Sequence, residues 1–419
     1  MDKVALLFPG QNSQFVGMGK WFYERYESAK HIYCEAEDIL GYDLSNICFE
    51  GNAVRLNDMD ILYPAIFTTN VAIYQAYMDE IGEQVSFMAG HSIGEYSALV
   101  ASGAISFGDA MDLIILRGKV IKKSSDLDGH MMLVEGIHYR YLERICRSLS
   151  RENVFVTISC YNTVYQNMVS GNSVGLELLG EKLRTLEVRL TPLFTSPPFH
   201  CSLMKNVKTI ISEKLEQISL YMPEIPVINS YFAIPYKSTQ DIKQHLIEQV
   251  ITPVCWCSVM KYLANQGVTR IVELGAQAVL TNFKSAAYGK YNSFAYGSIK
   301  EQQRLEKNLQ DKGVATKKEQ RTMNEIRFVN MCLTEAVASK NYSSDIDSYK
   351  ESYSLYKQLE ELQIQASTGN NVCIDITQKA CQLLLYILEK KESPRSILDY
   401  WRGLCDNIIM RGDLVWKRK

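Results

Sequence analysis

Apolar residues fall along this chain in short runs, at 4–8, 87–89, 227–229 and 271–274. Longer stretches of three- and four-residue apolar spacing separate them. Strand-length runs alternating with helical periodicity predict a parallel sheet covered by helices, so the main body is expected to be α/β. Between 128 and 193 the order changes to strand (131–135), helix (139–149), strand (154–159), strand (166–170), helix (174–186) and strand (188–192). That βαββαβ order predicts an inserted ferredoxin-like subdomain. After about Leu309, the polar, lysine-rich run from Asp311 to Arg321 reads as a linker. The remainder reads as helical. Ile346, Tyr349, Tyr353, Tyr356 and Leu359 stand three or four apart and line one helix face, 367–371 makes a turn, and Ser393-Pro394 starts another helix. The expected organisation is a core formed by 1–127 and 194–310, the insert at 128–193, and a C-terminal helical extension at 311–419.

Composition narrows the class. The 419 residues are 47% hydrophobic and 22% charged, the makeup of a soluble protein with room for two or three domains. A formal net charge of -2 leaves no excess positive charge for nucleic acid or an anionic membrane surface. No stretch approaches the ~18 apolar residues of a membrane span, and the start MDKVALLFPGQ lacks the flanks of a signal peptide. The eleven cysteines are scattered, and Cys255 and Cys257, the one close pair, fit no common zinc spacing. Reduced thiols in a cytoplasmic protein are expected.

Candidate chemistry begins at Gly90-His91-Ser92-Ile93-Gly94, between a strand-like run and a helix-like stretch that Gly103 can close. This is the context of a G-x-S-x-G nucleophile elbow, in which flanking glycines let the chain turn sharply and hold the serine hydroxyl outward. Taken alone the motif also fits a tight turn with an exposed serine. An α/β-hydrolase would place its acid and then its histidine after the serine, usually late in the chain. The last histidine here is His245, which argues against an ordinary esterase. Ala110, Leu113, Ile114, Arg117 and Ile121 form a helical stripe that Ser106 can cap. On periodicity alone, Arg117 either seeks an anion on that buried face or snorkels outward.

Phe8-Pro9-Gly10-Gln11-Asn12-Ser13-Gln14 after the first strand, together with Gly-His-Ser-Ile-Gly-Glu-Tyr-Ser-Ala-Leu, closely resembles the malonyl-CoA:acyl carrier protein transacylase family, from Lys3 to about Leu309. The resemblance implies a hydrolase-like α/β core and a Ser-His dyad. Ser92 is the implied nucleophile, and His200, in Ser-Pro-Pro-Phe-His-Cys-Ser, the implied base. It further implies that a backbone carbonyl in Gln249-Val250-Ile251-Thr252-Pro253-Val254 orients His200, and that the amides of Gln11 and Ile93 form an oxyanion hole. Leu116-Arg117-Gly118 resembles the segment whose arginine grips the free malonyl carboxylate. Phe199 matches the pattern expected to disfavour methylmalonyl. The implied reaction is ping-pong transfer from malonyl-CoA to the phosphopantetheine thiol of an acyl carrier protein, without metal or redox cofactor.

The sequence departs from the family at Asn12, Tyr63, His130 and Ile121. Tyr63 stands where glutamine is usual near the active site, so it is a candidate for specificity. The C-terminal extension tilts the expected partners toward carrier proteins or domains of a polyketide or hybrid nonribosomal peptide synthase. Alternatives are an acyl hydrolase that clears carrier proteins, against which Arg117 argues, and an inactive acyltransferase-fold interaction protein.

Overall fold

The computed structural model describes residues 2–123, 128–193, 196–283, 291–368 and 374–411. Two compact units emerge, Met1–Met78 with Glu83–Asn308, and Asp79–Gly82 with Leu309–Lys419. The described strands are β1 (Lys3–Phe8), β2 (Phe87–Gly90), β3 (His130–Glu135), β4 (Val156–Tyr161), β5 (Gln166–Gly171), β6 (Arg189–Leu193), β7 (Val227–Ile228), β8 (Val268–Glu273) and β9 (Asn292–Ala295).

All strands belong to the larger unit, in two sheets. The first is parallel throughout, in the order β7-β2-β1-β8-β9. Every residue of β1 after Lys3 is buried, as a strand enclosed on both faces requires. Phe8 and Gly90 are in register, so β1 and β2 end side by side and the loops after them share one edge. The crevice at the carboxyl ends of parallel strands is where such sheets bind ligands.

The second sheet is antiparallel, in the order β4-β5-β3-β6. Helices Tyr139–Leu149 and Ser173–Leu183 contribute Leu142, Ile145 and Leu179 to a core with Val134 and Val169 of its strands. β4 starts two residues later than its apolar run predicts, because Val154 pairs with Arg151 in an isolated bridge. Ser159 and Tyr161 exchange backbone hydrogen bonds with Val254, which ties this sheet to the segment after Gln249.

The expected linker is shorter than the sequence suggests. Lys317 to Arg321 form the first turns of helix Lys317–Ala338, started by a reciprocal capping box between Thr316 and Glu319. Helices Ile346–Thr368, Ile374–Lys390 and Arg395–Arg411 complete this unit around Phe328, Cys332, Leu359, Leu384 and Trp401. The expected apolar stripe divides: Leu359 is buried, whereas Ile346, Tyr349 and Tyr353 are exposed. Helix continues through Ser367 and Thr368, where the expected turn at 367–371 would begin; 369–371 lie outside the described residues. Among the described residues no helix is long and apolar enough to cross a membrane.

Gly94 opens helix Gly94–Ala101, and a Cβ there would stand 2.1 Å from the Phe8 carbonyl oxygen. Gly94→Ala is expected to destabilise the protein by about 2 kcal/mol or more. An unchanged melting temperature by circular dichroism would contradict this packing.

Candidate active site

The chain leaves β2, turns at Ser92 with φ of 55° and enters helix Gly94–Ala101. A non-glycine residue in the left-handed region is strained, and such strain persists only where surrounding structure enforces it. Here the enforcement is close packing. A Cβ at Gly90 would fall 2.2 Å from the Gly94 carbonyl, so neither glycine of the motif tolerates a side chain. Gly10 lies against the elbow in the same way, 2.6 Å from the His91 carbonyl oxygen to its Cβ position. His91 N–H donates to the Phe8 carbonyl at 2.9 Å. Among the described residues the N–H groups of Gln11 and Ile93 donate to no protein acceptor.

His200 also has a positive φ, 60°, and its N–H donates to Val250 O at 3.0 Å. Its ring spans two partners: Nδ1 lies 2.8 Å from the Gln249 carbonyl oxygen and Nε2 lies 2.7 Å from Ser92 Oγ. A carbonyl can only accept, so Nδ1 carries the proton and the Nε2 lone pair faces the serine hydroxyl. That is the arrangement of a general base poised on its nucleophile. Burial lowers the His200 pKa to about 3, with the charge of Arg117 adding to it and the Gln249 carbonyl opposing it. The imidazole is therefore neutral and able to take a proton across the physiological range.

Arg117, on helix Phe107–Lys123, is only 2% exposed. Its Nη1 donates to Gln249 Oε1 at 3.0 Å, and its guanidinium carbon lies 5.1 Å from the Phe199 ring and 5.9 Å from the Tyr63 ring. No carboxylate pairs with it among the described residues, and Arg117 Nε has no hydrogen-bond partner. A buried guanidinium that donates to a neutral amide has the chemistry to pair with an anion. Tyr63 is buried, its hydroxyl without a partner among the described residues, and lies edge-on to Phe199 at 6.0 Å between ring centres. Burial raises the Tyr63 pKa, though the Arg117 charge pulls it back, so the hydroxyl stays a neutral donor.

Residues 5–325 match the acyl transferase domain family. The chain belongs to the acyl transferase family. Its relatives include a malonyl CoA-acyl carrier protein transacylase of Bacillus subtilis, 33% identical over 353 residues, 83% of this chain and 86% of that protein. The transacylase of the same description from Escherichia coli K12 is 33% identical over 67% of this chain and 91% of its own length. Among solved structures, a type II PKS acyl-carrier protein in complex with its malonyl-transacylase aligns with a TM-score of 0.69 at 30% identity, covering 73% of this chain and 100% of that one.

In this acyl transferase, the fold brings Ser92, His200, Gln249, Arg117, Phe199 and Tyr63 into one connected cluster. The side chain of Ile121, last on the expected stripe, lies outside those described. His130 opens β3 and makes no contact with this cluster among the described interactions. Sequence reading misses two members. Asn162, just past β4, holds His91 Nε2 at 2.9 Å. Glu95, one helical turn after Ser92, is fully buried and accepts from Gln249 Nε2 at 2.8 Å. An acidic residue three positions after the nucleophile is the only local signal for it.

Because Arg117 helps to depress the His200 pKa, Arg117→Ala is expected to shift it upward. The rate of Ser92 labelling by a fluorophosphonate, followed as pH is lowered, should stay flat through the ordinary imidazole range near 6.5 in the unaltered protein, and in the variant its loss on acidification should set in at a higher pH than in the unaltered protein. A limb that stays put or moves down in pH would refute this electrostatic link.

Proposed function

We propose that this chain transfers malonyl from malonyl-CoA to the phosphopantetheine thiol of an acyl carrier protein through an ester on Ser92. The observation that carries the reading is the buried Arg117, which pairs with no carboxylate among the described residues and is joined through Gln249 to the Ser92–His200 pair. His200 Nε2 takes the Ser92 proton as Oγ attacks the thioester carbon. The C–S bond then breaks and the departing coenzyme A sulfur receives that proton. The carrier thiol reverses the sequence: His200 removes its proton, sulfur attacks the ester, and Ser92 regains its hydrogen. The free amides of Gln11 and Ile93 are assigned to the oxyanion formed in both halves.

Arg117 supplies the acyl selectivity. Leaving a desolvated guanidinium unpaired with acetyl costs about 3 kcal/mol, roughly a hundredfold in rate. Phe199 and Tyr63 both stand beside Arg117, which supports a wall that disfavours a methyl on the malonyl α-carbon, and we assign the Tyr63 hydroxyl as a donor to the acyl carboxylate. The relatives named above support malonyl-CoA and a carrier protein as partners. We assign the chain to a polyketide or hybrid nonribosomal peptide system, supported by the type II PKS complex and by a C-terminal part that continues beyond the family match. We place it in the cytoplasm, in keeping with the ten free cysteines among the described residues.

Incubation with malonyl-, methylmalonyl- or acetyl-CoA and an added holo-carrier protein, followed by intact mass, tests the reading. Malonyl should load Ser92 and move to the carrier. Ser92→Ala should load nothing, Arg117→Ala should lose malonyl loading by roughly a hundredfold, and Tyr63→Phe should raise the KM for malonyl-CoA several-fold. Stripping of a loaded carrier to free acid, with no loading from coenzyme A, would instead identify a hydrolase.

A further inference from the structure

We infer that Glu95 and His245 are positioning residues for the transfer: they fix the orientation of the Gln249 side-chain amide and, through it, the carboxylate selectivity of Arg117. The inference rests on the transfer reading above. A carboxamide fits its space almost equally well after a half-turn, so its orientation is decided by neighbours. Here Gln249 Nε2 donates to Glu95 Oε2 at 2.8 Å and to the Ser92 carbonyl at 3.1 Å, while Oε1 accepts from Arg117 at 3.0 Å. A half-turn would set the NH2 group against the guanidinium and the carbonyl against the carboxylate.

Glu95 is itself fixed with unusual completeness. Oε1 accepts from Ser230 N–H at 3.1 Å and from the Tyr236 hydroxyl at 2.8 Å. Oε2 accepts from Ser230 Oγ at 2.8 Å and lies 3.0 Å from His245 Nε2, besides its bond from Gln249. His245 sits on helix Thr239–Glu248, four residues before Gln249 and on the same face, and its carbonyl accepts the Gln249 N–H at 2.7 Å. One histidine thus anchors Gln249 from its backbone and, by way of Glu95, from its side chain. Glu95 makes no hydrogen bond to His200 among the described interactions, so the pair stands outside the proton relay.

A merely structural clamp between the two helices would lower stability and depress all substrates alike. The positioning role predicts selective loss. The test measures kcat and KM for malonyl-CoA and acetyl-CoA with the full chain and Glu95→Gln, His245→Ala, His245→Gln and the milder Tyr236→Phe, with melting temperatures recorded in parallel. In folded Glu95→Gln and His245→Ala, the malonyl-to-acetyl ratio of kcat/KM should fall roughly tenfold, mainly through the KM for malonyl-CoA. Tyr236→Phe should move the ratio in the same direction by less. His245→Gln, which keeps a donor, should restore most of it. An unchanged ratio in folded variants, an equal fall for both substrates, or a His245→Gln no better than His245→Ala would overturn the inference. If the unaltered protein loads no malonyl, the transfer reading itself fails.

Discussion

Arg117 is buried with no carboxylate paired to it among the described residues, which costs free energy, and the side-chain carbonyl of Gln249, 3.0 Å from Nη1, offsets part of that cost. The same residue's backbone carbonyl holds His200 Nδ1, and its amide nitrogen holds the Ser92 carbonyl. His200, Ser92 and Arg117 therefore share one support. A displacement of Gln249 would alter all three together. In the proposed transfer, an anion that pairs with Arg117 adds the charge compensation that a neutral amide carbonyl alone does not supply.

Precision around Ser92 comes from backbone crowding more than from side chains. Ser92 and His200 both adopt left-handed conformations, which cost free energy unless neighbours leave no alternative. Gly10, Gly90 and Gly94 let the loops after β1 and β2 press together closely enough to impose the turn at Ser92. The strain stays local because β1 and β2 are anchored in a continuous parallel sheet.

Much of the fold is legible where one local pattern dominates. β1 is a dense apolar run, and the βαββαβ order of the insert shows in alternating periods. Legibility weakens where tertiary pairing overrides local composition. Val154 looks like strand and is spent on a bridge to Arg151, and the lysines after Thr316 look like a linker although a capping box starts a helix there. At the site, Ser92 and His200 lie in contiguous motifs, and Arg117 stands out as a cation on an apolar stripe. Glu95, Asn162 and the amide chemistry of Gln249 carry no such signature, since their partners lie 154 and 71 positions away for the first two. Tyr63 is visible only as a departure from a pattern, and its meaning comes from the ring it sets beside Arg117.

In the proposed transfer, Arg117, Gln249 and the Ser92–His200 pair act as one malonyl-transferring centre. A crystal structure of the enzyme loaded with malonyl-CoA in the absence of a carrier protein tests it most directly. The expected result is an ester on Ser92 Oγ, its carbonyl oxygen within hydrogen-bond distance of the Gln11 and Ile93 amides, and its free carboxylate paired with Arg117. An ester whose carboxylate points to solvent while Arg117 keeps its present contacts would contradict it.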